Sequence, residues 1–257
     1  MFKSKILLLT VICSITLVSC KKESLVTAPV TPSIADALIK TKTEGNIVET
    51  YTYDSQKRLS KVVFTSTTNG SSYYYEYTYT NDAVLEYHSN ETLHELEETL
   101  PNGVTRLNCT ANPRSLKLNN QGYYVGMSST CEEKSLGYDA NGFVVSQNYA
   151  ITDFSKNETM RNDKRNVTTI NSKGFSYLGG DFTTVVNLDY FYDKVNTVGN
   201  KNFGKNFLGK SSENLIKTES ENNQTISYTY TFDAQQRVLN RTITKGGIQS
   251  TSTYTYY

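Results

Sequence analysis

Few residues in this chain are placed to do bond-making chemistry. Its only two histidines, His88 and His94, fall in His88-Ser-Asn-Glu91-Thr-Leu-His94-Glu95-Leu-Glu97-Glu98. A metal ion needs several nitrogen or oxygen ligands converging at about 2.0–2.6 Å, and across a short hairpin the two rings and Glu91 can supply three. The spacing matches no zinc motif, so the plainer reading is a solvated, charged hairpin with no metal and no cofactor. Serines are plentiful, yet no Gly-x-Ser-x-Gly elbow holds one and neither histidine is set as its base. Carboxylate pairs such as Asp181 with Asp189, or Glu97 with Glu98, hydrolyse a glycosidic bond only when about 5–10 Å apart. A chain of 257 residues offers such pairs by chance. No glycine-rich phosphate loop opens a helix. No catalytic residue is assigned, and a glycan-processing hydrolase is the least favoured reading.

Cysteine is more informative. Met1-Phe2-Lys3-Ser4-Lys5 leads into the apolar run from Ile6 to Val18 and ends at Leu17-Val18-Ser19-Cys20. A basic start, a short apolar segment and a small residue before the cut mark residues 1–19 as a secretory signal, too short to span a bilayer comfortably. Leu-Val-Ser-Cys resembles the lipobox of bacterial lipoproteins. The resemblance implies that Cys20 is the first mature residue, carries acyl chains, and holds the protein outside the cytoplasm on a membrane. Several chains at about 0.8 kcal/mol per buried methylene anchor a protein without any amphipathic helix. Cys13 leaves with the signal, so Cys109 and Cys131 remain. In an oxidising compartment such a pair favours a disulfide, closing about twenty residues and worth on the order of 3 kcal/mol. Two buried, inert thiols are the alternative.

Loss of residues 1–19 removes two of 26 basic residues and none of the 25 acidic ones, leaving 24 against 25 and a formal charge of −1. Without clustered positive charge, nothing favours nucleic acid or anionic head groups as partners. Residues 20–35, with Pro29 and Pro32, read as a lipidated start and an extended tether. Residues 36–257 read as one domain.

That domain keeps a period of two. Tyr73, Tyr75, Tyr77 and Tyr79 share one face while Glu76, Thr78 and Thr80 take the other; Ile226, Tyr228, Tyr230 and Phe232 oppose Thr225, Ser227, Thr229 and Thr231. Half-buried antiparallel strands have this pattern, and Tyr and Thr suit a pleated surface. The Tyr73–Tyr79 stripe is either core or, if exposed, a platform for sugar rings or a protein partner; cross-strand packing favours core.

The turns repeat too. Those opening at Asp54, Asn119, Asp139, Asn171 and Asp233 each carry Gly or a polar residue three positions later, the plan of a type I turn with a bulge. Lys57 and Gln236 stand where glycine fits best, which predicts mild strain. Turn openers fall at irregular intervals, against a solenoid or propeller. The fold expected is all-β: a large antiparallel meander of a dozen or more strands with little helix. No helix is available to cover its apolar face, so the sheet must curl into a curved sheet, half-barrel or barrel-like shell. Residues 194–214, with Phe203, Phe207 and Leu208, break the alternation, and so long a loop is expected to plug an open end or gate a site.

Tyr51-Thr52-Tyr53-Asp54 with Arg58-Leu59, Gly137-Tyr138-Asp139 with Asn141-Gly142, and Tyr228-Thr229-Tyr230-Thr231-Phe232-Asp233 with Arg237-Val238 resemble the YD repeats of RHS-type shell proteins. With the Cys-Lys-Lys-Glu start and the stretch near 192–217, the chain is similar to a family of uncharacterised lipoproteins found in Bacteroidota. The resemblance implies an all-β domain on an outer membrane and no reaction. The function expected is a non-catalytic, lipid-anchored envelope module that binds a glycan or an envelope protein, or serves as structure. The alternative is a carrier or sensor holding a lipid or other hydrophobic ligand inside a partly closed sheet.

Overall fold

The computed structural model describes residues 36–89, 96–99, 105–108, 113–128, 132–151, 154–222 and 224–257. Cys20, Cys109, Cys131 and His94 lie outside them. The described strands are β1 (Ile39–Glu44), β2 (Ile47–Tyr53), β3 (Leu59–Ser66), β4 (Ser72–Tyr79), β5 (Ala83–His88), β6 (Leu96–Thr99), β7 (Thr105–Asn108), β8 (Arg114–Leu118), β9 (Tyr124–Ser128), β10 (Glu132–Tyr138), β11 (Val144–Ile151), β12 (Phe154–Asp163), β13 (Asn166–Ser176), β14 (Gly180–Val195), β15 (Asn214–Glu221), β16 (Gln224–Phe232), β17 (Val238–Lys245) and β18 (Ile248–Tyr256). Sixteen of them form a closed antiparallel barrel in sequence order, β5 pairing directly with β8, while β6 and β7 make a separate two-stranded sheet. Closure comes from β1 on β18, with Lys42 opposite Tyr254 and Glu44 opposite Ser252. Every barrel hydrogen bond is therefore made within residues 36–257.

The registers sort the side chains. Tyr51, Val62, Tyr75 and His88 form one inward row, and Lys42, Glu49, Phe64 and Tyr73 another. The outward positions are rich in threonine, serine and asparagine, which hydrogen-bond across strands in solvent: Thr41 with Thr255 at 2.7 Å, Thr242 with Thr251 at 2.9 Å, Thr253 with Asn240 at 2.8 Å. The Tyr73–Tyr79 stripe faces inward. Tyr77 is buried and its three companions half-buried, so it offers no flat external platform.

An antiparallel meander gathers its turns at two ends. At one end lie the turns at 54–58, 119–123, 139–143 and 233–237. In each, a carboxylate or amide oxygen of Asp54, Asn119, Asp139 or Asp233 accepts backbone N–H bonds from the residues two and four ahead, at 2.9–3.0 Å. Lys57 and Gln236 both take φ 62°, the left-handed conformation that costs a non-glycine residue. The fifth expected turn does not exist. Asn171 to Gly174 lie inside β13, and Gly174 is there for space: a Cβ would fall 2.1 Å from Ser155 O and 2.5 Å from the Phe182 ring. Glycine marks a close cross-strand approach here rather than a bend.

Candidate functional site

Sixteen strands enclose more space than their own side chains fill, and the candidate site is this lumen. One end of it is shut. The connection from β14 to β15 folds across the opening, with a single 3-10 turn at Asn206–Leu208. Its backbone and side chains tie to points around the rim: Asn202 O accepts from Ile39 N, Gly204 O from Leu59 N, Thr197 Oγ1 from Val238 N, Gly142 O from Lys210 N, and Ser212 Oγ from Val167 N. Gly204, at φ 65°, lets the plug approach this closely, since a Cβ would sit 2.7 Å from Leu59 N and from the Tyr53 ring. Phe203 packs on Tyr51 (5.1 Å between centroids) and Phe207 on Tyr77 and Tyr79 (6.3 and 6.2 Å).

A set of tyrosines belts this end. The hydroxyls of Tyr53, Tyr79, Tyr138, Tyr190, Tyr230 and Tyr256 donate to the carbonyls of Ile39, Leu59, Tyr124, Val167, Ile216 and Val238 at 2.6–3.0 Å. Each sits near the end of a strand running toward the plug. Arg58 and Arg237, each bonded through Nε to its turn aspartate at 2.7 Å, lie over Tyr79 and Tyr256 at 4.1 and 4.5 Å. The Arg guanidinium and three or more hydrogen bonds outweigh desolvation and hold the Asp54 and Asp233 carboxyls below the usual aspartate range.

Below the tyrosines the lumen is charged. Burial opposes the Lys42 ammonium, yet Glu49 and Glu44, at 2.9 and 3.0 Å, outweigh it and raise its pKa. Glu49 also accepts from the Tyr51 hydroxyl, and Glu44 from Ser252 Oγ at 2.9 Å. Glu86 meets His88 Nε2 at 2.7 Å, and the His88 ring stacks on Tyr75 at 3.9 Å. Among the described residues, two cations beside these groups form no ion pair. Lys205 descends from the plug and its pKa is lowered by burial, which the Glu86 and Glu49 carboxylates offset only in part. Arg241, on the inner face of β17 opposite Tyr230 and Ser252, keeps a buried Nε without a hydrogen-bond partner.

Toward the other end the lumen turns aromatic. Phe64 stacks on Tyr73 at 4.7 Å and touches Tyr75 at 5.1 Å. About half the ring away, Phe154 stacks on Phe182 at 5.8 Å beside Tyr149 at 6.1 Å. Here sequence reasoning missed Lys205, Arg241, Tyr149, Phe154 and Phe182; period-two alternation flagged an inner face but not which strands stand half a ring apart.

The other proposed chemistry disperses. Asp181 and Asp189 are both outward on β14, eight residues and so about 27 Å apart, and Asp189 pairs with Lys217 at 3.4 Å. That is far beyond a glycosidase pair. Among the described residues no three His, Cys, Asp or Glu side chains converge as a metal site. A cleft of about 610 Å3 opens where the plug meets the barrel, lined by Tyr123, Asn196, Asn200 and Lys210 among others. The Asn196 and Asn200 amides are spent inside the loop, on Ser212 O and Gly209 O, so the cleft is a seam of the plug.

Two solved structures that share this architecture are porin-like proteins. A porin-like protein from Bacteroides uniformis superposes with TM-score 0.55 at 14% identity, covering 85% of this chain and 95% of its own. Another from Bacteroides vulgatus gives 0.54 at 10% identity, over 86% and 99%. The likeness is one of fold. No protein-family model matches the chain, and no curated protein matches it in sequence.

Proposed function

We propose that this chain is a non-catalytic binding module of the bacterial envelope that holds an amphipathic ligand in its lumen. The observation that carries this reading is the polarity of the barrel's two faces. A barrel that crosses a bilayer turns an apolar band about 25 Å tall outward and a polar face inward. This one differs on its outer face, where hydrogen-bonded threonines stand in place of an apolar band, while the inner face holds both the charged layer and Tyr51, Val62, Tyr77 and Tyr254. On this reading the barrel stands in water beside a membrane, with acyl chains on Cys20 as its attachment. An apolar ligand body would lie along Phe64, Tyr73, Phe154 and Phe182, with an anionic head at Lys205 and Arg241, the cations that form no ion pair.

Native mass spectrometry of residues 36–257, purified without detergent from the source organism, tests this. A co-purifying lipid-sized mass that Lys205→Met and Arg241→Met weaken supports the lumen. A bare protein, together with no uptake of oleate as a probe, overturns it and turns attention to protein partners. Conductance steps in a planar bilayer would instead make the chain a pore.

A further inference from the structure

The barrel has an uneven rim. At the end away from the plug, β14 pairs with β13 from Gly180 onward but meets β15 only from Val186, opposite Glu221. Six residues of β14 thus stand about 20 Å, measured along the strand, above the β15–β16 edge. The strands on its other side rise with it: Ile151 pairs with Phe154, Phe154 with Ser176, and Ser176 with Gly180. The result is a paddle of antiparallel strands projecting past the lumen mouth.

Its tip carries large apolar side chains on the turn and on both faces. Leu178 is 95% exposed and Tyr177 65% in the β13–β14 turn, where turn chemistry ordinarily selects polar residues. Phe175, 45% exposed, faces outward, while Ile151, 41% exposed, shares the inner face with Phe154 and Phe182. We infer that this paddle tip docks into the surface of a lipid bilayer and so sets the lumen mouth against the membrane.

Three observations select lipid over a protein partner. Apolar side chains on both faces and the tip need a surrounding medium, whereas a protein covers one face. The apolar band ends within two or three residue rows, where Asp181 sits across from Phe175 and Lys173 and Lys156 follow. That depth is roughly 5–10 Å, the depth of interfacial insertion, with tyrosine at the level of the head groups and the outward Lys173 able to meet phosphates, while Lys156 faces inward and pairs with Glu158. Finally, the described chain enters at the plugged end, where Ala37 O accepts from Asn202 Nδ2. The sixteen residue steps from Cys20 to Asp36 span at most about 55 Å, which matches the reach of the sixteen-residue β14. A lipid on Cys20 thus permits the far end to touch the same membrane. Docking needs no occupied lumen and stands or falls separately from the ligand.

The chain contains no tryptophan, so Tyr177→Trp in residues 36–257 places a single reporter at the tip. With vesicles of phosphatidylethanolamine and phosphatidylglycerol its emission shifts to the blue and is quenched by brominated acyl chains. Leu178→Asp combined with Tyr177→Ser lowers co-sedimentation with those vesicles by about tenfold or more, the loss expected from removing two large apolar contacts. The paired control, Leu239→Asp on the outer wall, binds as the parent does. Because Leu178 touches nothing in the fold, melting temperatures of the tip variants stay level. Unchanged emission, or equal sedimentation of the double variant, overturns the inference. So does a dimer that Leu178→Asp dissolves while vesicles go unbound, which assigns the tip to a second copy of the chain.

Discussion

The two ends of the barrel are built on opposite principles. At the plugged end, aspartate turns, arginines over tyrosine rings, hydroxyl-to-carbonyl bonds and two plug phenylalanines interlock. At the mouth, hairpins run to different heights, aromatic side chains are half-exposed, and the tallest hairpin ends in Tyr177 and Leu178. Interlocking contacts are concentrated where the chain folds onto itself, and the two most exposed apolar side chains, Leu178 and Ile248, stand at the other end. Local stability follows buried contact and protected hydrogen bonding.

Raising the pH attacks the first end most broadly. Burial pushes the Tyr138 and Tyr256 hydroxyls up to about 12, and burial with the Glu219 carboxylate does the same for Tyr228. Tyr53, Tyr79 and Tyr230 are raised further, by burial first. Groups whose folded pKa lies above the unfolded value of about 10 stabilise the fold fully below that value and lose the contribution as pH climbs through the folded pKa. The barrel should therefore melt cooperatively between about pH 10 and 12. Tyrosinate absorbance and circular dichroism should change together; tyrosines ionising well before the fold is lost would show the belt to be open to water.

Truncation compares the ends directly. Phe207→Ala removes a buried ring held by Tyr77 and Tyr79 and should cost about 3–5 kcal/mol in urea denaturation. Phe182→Ala, half-buried at the mouth, should cost about 1–2 kcal/mol. Equal losses would erase the distinction. A finer adjustment comes from the turns: Lys57→Gly and Gln236→Gly relieve a left-handed backbone and should each add about 0.5–1 kcal/mol, provided the Asp54 and Asp233 bonds survive.

The same asymmetry governs how much the sequence discloses. The plugged end is written in local code: alternation shows the strands, Asp or Asn with a residue three later shows the turns, and the break at 194–214 shows the plug. Lys57 and Gln236 stand out because they lack glycine. Asn171 to Gly174 mimics that code, because a glycine needed to clear Phe182 across the sheet looks like one needed for positive φ. The lumen's charged layer is not local. Lys205 gains its burial from a loop folding over strands some 120–160 residues earlier, which no spacing announces. Tyr177-Leu178 could have been flagged, being two apolar residues where a turn ordinarily holds polar ones.

Closure itself has a kinetic consequence. Almost every barrel strand pairs with its neighbour in sequence, so most of the sheet can zip up hairpin by hairpin. The seam between β1 and β18 is different: Thr41 and Thr255, bonded across it, are 214 residues apart. Until the last strand has emerged, β1 waits with an open edge, and the plug has no complete rim to grip. Such a chain assembles quickly and finishes slowly, and during that wait its two unpaired edges invite pairing with other copies. A newly made barrel is safest when kept apart from its siblings until the ring has shut.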